Sequence, residues 1–152
     1  MKIILKKAII EDAEVIREVL NQAFYKDYIK YGYCPAYNQS IERVQKGIEN
    51  SIPFKILVDE QTVGYMRVLY EGQGRYWLAC LCIIPAFENK GVGKVAMKLL
   101  EKQFPNAKCW GLDTPVDNER NVYFYKKCGF KIIKEYMDEN VKLVVFNKTL
   151  LN

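Results

Sequence analysis

Three strand-like segments in the middle of the chain follow one another with only short connections. The segments FKILV, TVGYMRVLY and RYWLACLCII are rich in β-branched and aromatic residues, and DEQ and EGQG separate them. Connections this short form hairpins, whereas a parallel crossover needs about a dozen residues or more. The middle of the chain therefore predicts three antiparallel strands, which is not the pattern of a doubly wound parallel sheet.

Helical and strand patterns on both sides extend this unit. A strand in KIILKKAII precedes a helix in EDAEVIREVLNQAF and a short helix around residues 40–50, and the tyrosine-rich stretch YKDYIKYGYCPAYNQ between the helices is predicted to be irregular. After the three strands come a helix near residues 91–104, a strand in AKCWGLD, a helix near residues 118–127, and the strands FKIIKEYM and VKLVVFNKTL. The predicted order is β-α-α-β-β-β-α-β-α-β-β, in a single domain of residues 1–152.

Composition and charge argue against several classes of protein. The first residues are interrupted by Lys6 and Lys7 and then by acids, so we expect a cytoplasmic protein with no membrane partner. Five cysteines and no histidine indicate reduced thiols and no metal site, and Cys80 and Cys82 are interpreted as strand packing. The net charge of +5 is spread along the chain, so a nucleic-acid-binding domain is the least supported hypothesis.

The segment ENKGVGK, residues 88–94, places two glycines and two lysines at the start of a predicted helix. A Walker loop needs a glycine where Glu88 stands and a Ser or Thr where Val95 stands. A Rossmann fingerprint belongs in a tight turn directly after a strand, whereas residues 85–90 separate the strand from Gly91. The remaining interpretations are a pyrophosphate loop, in which backbone N–H groups and the helix dipole bind a diphosphate, and an ordinary solvated loop.

Two segments, IIPAFENKGVGKVAMKLLE and LDTPVDNERNVYFYKKCGF, resemble the two signature segments of the GNAT superfamily of N-acetyltransferases. The order of elements also resembles that family, so the resemblance covers nearly the whole chain. Gly91 and Gly93 match the first signature, although Glu88 stands where Gln or Arg is usual. The second segment matches the family's spacing at four positions, which are Asn118, Tyr125, Gly129 and Phe130. It departs at Asn121, where a small residue is usual.

The resemblance implies an α/β (α+β) fold with a mixed, mostly antiparallel central sheet flanked by helices. It implies an acetyl-CoA-dependent N-acetyltransferase that moves the acetyl group to a primary amine by direct attack in a ternary complex, without a metal. The acceptor would be a small-molecule amine or a peptide N-terminus, and the protein a monomer or homodimer. A non-catalytic acyl-CoA-binding module is the alternative, because the family's usual carboxylate is missing.

The resemblance also implies which residues contact the cofactor. Tyr125 would protonate the leaving thiolate, with core packing as the alternative, and Asn118 would contact the pantetheine arm, with helix capping as the alternative. Glu88 is expected to contribute its backbone while its side chain turns outward. The implied contacts lie in the strand before the glycine loop, in the loop and in the second segment: Leu81, Cys82, Ile83, Glu88, Asn89, Lys90, Gly91, Val92, Gly93, Lys94, Asn118 and Tyr125.

The general base and the acceptor stay open. Trp77 lies near the place where some family members carry a glutamate, which leaves Glu71, Asp113 or a water relay as alternatives. Five tyrosines crowd the segment that forms part of the acceptor wall in the family, where they would hold an amine by cation-π contact or pack under the loop. They are Tyr25, Tyr28, Tyr31, Tyr33 and Tyr37.

Overall fold

The computed structural model describes residues 1–150, and all seven strands in this range belong to one sheet. The order of helices and strands is the order predicted from the sequence, with two short 3-10 turns added. In chain order the elements are β1 (Ile3–Lys7), α1 (Ala13–Tyr31), α2 (Ile41–Glu49), β2 (Ile52–Val58), β3 (Gln61–Tyr70), β4 (Arg75–Ile83), α3 (Val92–Gln103), β5 (Cys109–Pro115), α4 (Glu119–Lys127), β6 (Lys131–Asp138) and β7 (Val141–Thr149).

The strands lie in the order β1-β2-β3-β4-β5-β7-β6. Neighbouring strands are antiparallel except for β4 and β5, which are parallel and joined by the crossover through α3. Helix α1 packs against β3 and β4, whereas α3 packs against β1 and β4. The predicted mixed, mostly antiparallel sheet flanked by helices is confirmed.

Helix α1 is longer than the sequence pattern indicated. The stretch predicted to be irregular after Phe24 begins with about two further helical turns, and the helix ends at Tyr31. Gly32 follows with φ 68°, and its N–H donates to the Tyr28 carbonyl, a left-handed cap that glycine adopts without steric cost. The extension carries the end of α1 over the sheet, where it borders the site described below.

The core lies between the helices and the central strands. Its largest fully buried side chains come from α1, α3 and four of the strands, and include Ile16, Tyr65, Met66, Leu100, Trp110 and Phe146. The five cysteines are free thiols, and the paired-strand positions of Cys80 and Cys82 agree with their interpretation as strand residues. No helix within residues 1–150 is long and apolar enough to cross a membrane.

Candidate active site

The two parallel strands separate after a short paired segment. Strand β4 pairs with β5 only from Arg75 to Trp77, opposite Cys109 to Gly111. A register shift opposite β3 leaves Ala79 as an extra residue in β4, and such bulges bend a strand. Residues 78–83 of β4 therefore have no strand partner on the β5 side, and their backbone groups there are available to a ligand.

A cavity of about 370 Å³ opens where the strands separate. Strands β4 and β5 contribute residues 78–81 and 112–115, and the end of α1, the following loop and α2 contribute a second group. Residues of β3, α4 and the β6–β7 hairpin complete the lining. The Tyr31 hydroxyl donates to Asp117 Oδ1 over 2.6 Å, which joins the end of α1 to the loop before α4. The volume and mixed polarity are typical of a small-molecule site.

Helix α4 lies between this cavity and the glycine loop. Asn121 and Tyr125, one turn apart, line the cavity. Arg120 and Phe124, on the adjacent face, contact the glycine loop. The second signature segment therefore contacts both the cavity and the first signature segment.

The glycine loop leaves the start of α3 without side-chain caps. Asn89 and Gly91 have φ 60° and 79°, and this left-handed geometry on either side of Lys90 curls the backbone. The first helical N–H with an acceptor inside the helix is that of Val95, which donates to the Gly91 carbonyl over 3.1 Å. The N–H groups of residues 92–94 lack such acceptors, so the start of α3 carries the partial positive charge of a helix N-terminus.

The other loop residues differ in exposure. Val92 is buried and anchors the helix start in the core, whereas Lys94 is exposed. The Lys90 ammonium lies 5.3 Å from the centroid of the Phe87 ring. In the preceding strand Cys82 is buried, and Ile83 is partly buried. Among the three strand residues expected to contact the cofactor, Leu81 lines the cavity.

Glu88 does not turn freely into solvent. Its carboxylate pairs with Arg120 of α4, and the Glu88 side chain is 22% exposed. The guanidinium neutralises the carboxylate, so the unusual acid leaves the loop without a net negative charge at this point. This long-range pair lets a glutamate stand in the loop without repelling a second anion at the start of α3.

Gly93 has a packing role as well. The Phe124 ring lies 3.2 Å from where a Cβ on Gly93 would be. We expect Gly93→Val to overpack the α3–α4 contact by about 1–3 kcal/mol and lower the melting temperature by several degrees in a thermal scan. Adding Phe124→Leu should restore part of the loss, and a single variant that melts like the parent would contradict this packing.

Tyr125 is 6% exposed and packs against Phe124, Phe130 and Phe146, with ring centroids 5.1 to 5.8 Å apart. Burial raises the pKa of its phenol, so it keeps its proton at neutral pH. Its hydroxyl makes no hydrogen bond to another residue in the described part of the chain. Tyr125 lines the cavity, so a protonated phenol lies beside it.

The candidate bases differ in position. Asp113 lines the cavity, and its Oδ2 accepts a hydrogen bond from the Tyr136 hydroxyl. Glu71 is exposed in the turn between β3 and β4 and does not line the cavity, because the cavity opens beyond Trp77. Asp27 also borders the cavity, and burial raises the pKa of its carboxyl.

Asn118 and three of the five tyrosines make contacts within the fold, whereas the other two tyrosines line the cavity. Asn118 caps α4, where its Oδ1 accepts from the Asn121 N–H over 3.1 Å. Tyr31 and Tyr33 line the cavity. The other three tyrosines form a cluster, in which Tyr28 and Tyr37 stack with centroids 4.7 Å apart and Tyr25 lies beside them.

Several cavity residues were not expected from the sequence. Arg43, Tyr65, Arg67 and Cys80 border the same cavity. One signal was available, because an arginine inside the segment TVGYMRVLY is unusual for a central strand. The pairing of Arg120 with Glu88 has no local sequence signal, since the two residues are 32 positions apart.

Comparison with known proteins places the glycine loop and α4 inside one family match. A model of the acetyltransferase (GNAT) family matches residues 14–130. YjcF of Bacillus subtilis (strain 168), an uncharacterized N-acetyltransferase, is 30% identical over 141 residues, which is 89% of this chain and 94% of YjcF. The uncharacterized protein YrkN of the same strain is 28% identical over 145 residues, which is 91% of this chain and 78% of YrkN.

Solved structures share the fold. The PaiA N-acetyltransferase from Thermoplasma acidophilum, in complex with coenzyme A, superposes with a TM-score of 0.82 at 21% identity. The superposition covers 99% of this chain and 100% of that chain.

Proposed function

The chain belongs to the acetyltransferase (GNAT) family, and from this premise we propose that it moves an acetyl group from acetyl-CoA to a primary amine by direct attack in a ternary complex. The acceptor is a small-molecule amine or a peptide N-terminus. The proposal rests on the position of helix α4, which contacts the glycine loop on one face and lines the cavity with Tyr125 on another.

The start of α3 suits the diphosphate of coenzyme A. The N–H groups of residues 92–94 would donate to phosphate oxygens, aided by the helix dipole. The space beside Gly91 is open, since no atom lies within 4 Å of the position of a Cβ there. The coenzyme A in the Thermoplasma acidophilum relative supports this assignment.

The splayed part of β4 suits the rest of the cofactor. Backbone groups of residues 81–83 would bind the pantetheine arm and polarise the acyl carbonyl, because they have no partner in β5. Acetyl-CoA supplies an acyl group activated as a thioester. The amine enters from the cavity, which Leu81 borders directly.

Each proton has an assigned place in this mechanism. The amine nitrogen forms a bond to the carbonyl carbon as the carbon–sulfur bond breaks. Asp113, directly or through water, takes the proton that the amine loses. Tyr125 gives its proton to the leaving thiolate, since burial raises the pKa of the phenol and keeps the proton on it until the thiolate forms.

A thiol-release assay with acetyl-CoA against a panel of amines tests the proposal. We expect release that depends on both the acceptor and the protein. Binding of coenzyme A with no release against any amine would instead favour an acyl-CoA-binding module without turnover. Absence of both would contradict the assignment of the glycine loop.

Glu88 provides a test of the loop's electrostatics. Glu88→Gln should leave coenzyme A affinity unchanged or tighten it by up to about fivefold, because a negative charge is lost and Arg120 is released near the diphosphate. Isothermal titration calorimetry measures the change, with the exposed Glu42→Gln on α2 as the control. A loss of affinity of about tenfold or more would mean that the Glu88–Arg120 pair is needed to shape the loop.

A further inference from the structure

Two arginines border the cavity without a carboxylate partner among residues 1–150. Arg67 on β3 and Arg43 on α2 both line it. Arg67 Nε donates to the Gly47 carbonyl over 3.3 Å and lies 3.4 Å from Ser51 Oγ. The missing side chain of Gly47 makes room for this guanidinium. Both of its hydrogen bonds within residues 1–150 come from Nε, which leaves the two Nη atoms for a ligand.

A buried hydroxyl lies on the same strand face. Tyr65 precedes Arg67 by two positions in β3, so both side chains project to the same side of the sheet. Tyr65 is 1% exposed, lines the cavity, and its hydroxyl has no hydrogen-bond partner. Leaving such a group unpaired is costly, so a ligand oxygen beside Arg67 would satisfy it.

The opposite charge lies across the cavity. Asp113 belongs to β5, whereas Arg67 belongs to β3, with β4 between them. Because β4 and β5 have already separated at Asp113, the gap exceeds two strand spacings, or about 10 Å, and the long arginine side chain and a small ligand would bridge it together. The cavity lining therefore holds the two arginine cations and three acids, of which Asp113 belongs to the same region as Tyr125 while Asp27 and Asp138 lie elsewhere in the lining.

We propose that the acceptor is a free amino acid, whose α-carboxylate binds to Arg67, Arg43 and the Tyr65 hydroxyl while its amine faces Asp113 and Tyr125. This inference rests on the proposed acetyl transfer. A guanidinium binds a carboxylate through two parallel hydrogen bonds, a geometry that fixes the neighbouring amine. The apolar part of the cavity lining, which includes Phe24, suits an apolar side chain.

Other acceptor classes fit this charge pattern less well. A peptide N-terminus has an amide in place of the α-carboxylate and offers the arginines no charge. A polyamine would find carboxylates in the same lining, at Asp27, Asp113 and Asp138, but it would leave both arginines and the buried Tyr65 hydroxyl without an acceptor or donor partner. A single α-carboxylate therefore distinguishes the proposed class from both.

Matched acceptors test the inference. Each common L-amino acid is compared with its α-amide, and phenylalanine also with 2-phenylethylamine, by kcat/KM in the thiol-release assay. We expect at least one amino acid to exceed its amide by about 10- to 100-fold, the size of a charge-assisted hydrogen bond. If kcat/KM for the amides or amines equalled that for every matching amino acid, the inference would be overturned and the acetyltransferase proposal would stand.

Variants assign the preference to the arginines. Arg67→Gln should raise KM for the preferred amino acid by about 10- to 100-fold and abolish its advantage over the amide, whereas Arg67→Lys keeps part of it. Arg43→Gln serves as a second variant, because its exposed side chain makes no contact on which the fold depends. Arg75→Gln, exposed at the start of β4, removes the same charge outside the cavity and should leave the preference in place.

A binding measurement separates the two proposals. The amino acids are titrated calorimetrically into the protein saturated with coenzyme A, which carries no acetyl group to transfer. Binding that Arg67→Gln abolishes, without acetyl transfer to any amine, would retain the carboxylate site and contradict the transferase mechanism. Binding of amides as tightly as acids would contradict the carboxylate site itself.

Discussion

We expect coenzyme A to stabilise this protein against heat, and Gly91→Val to abolish that stabilisation. A ligand present at about 100 times its Kd stabilises the native state by about 2.7 kcal/mol, which corresponds to roughly 5–10 °C for a chain of this size. Gly91 has φ 79°, where a β-branched residue is strongly disfavoured, so the loop must change conformation. The valine side chain would also enter the open space that we propose for the diphosphate.

Gly72 offers a matched control for this variant. It has φ 84° and, like Gly91, no atom within 4 Å of its missing Cβ, but it lies in the turn between β3 and β4. Gly72→Val should therefore suffer similar backbone strain and lower the melting temperature, while the shift caused by coenzyme A stays. A full shift in Gly91→Val would remove the glycine loop from the cofactor site.

The order of elements was predictable because its signals are local. Short turns between β-branched segments force β2, β3 and β4 to be antiparallel, whatever the rest of the chain does. The start of α3 after Gly91 and the start of α4 after Asn118 were likewise placed to within about one residue, a common margin for helix ends. The end of α1 was placed too early, because a run of tyrosines gives no strong helical pattern and the stop is made by Gly32.

The site was only partly predictable because it depends on contacts between distant segments. The glycines and Tyr125 stood out by their spacing, but the pairing of Glu88 with Arg120 arises only after α4 packs on the loop. Arg67 lies in the central strand β3, and its side chain borders a cavity that forms where β4 and β5 separate. No periodicity in the sequence reports such a separation.

The mechanism depends most on Tyr125→Phe, for which kcat should fall by about 10- to 1,000-fold. The variant keeps the ring among Phe124, Phe130 and Phe146 and removes only a hydroxyl that no described residue binds. Coenzyme A affinity and melting temperature should therefore barely change. Steady-state kinetics, calorimetry and a thermal scan measure the three quantities.

Tyr123→Phe is the matched control, because Tyr123 lies two residues before Tyr125 on the same helix and is 64% exposed. It loses the same hydroxyl outside the cavity and should keep the parent kcat. Full turnover in Tyr125→Phe, with chemistry shown to be rate-limiting by a pre-steady-state measurement, would mean that the thiolate leaves unassisted or takes its proton from water. Tyr125 would then be a core residue, and the proton assignment alone would be lost, because membership of the family rests on the match over residues 14–130.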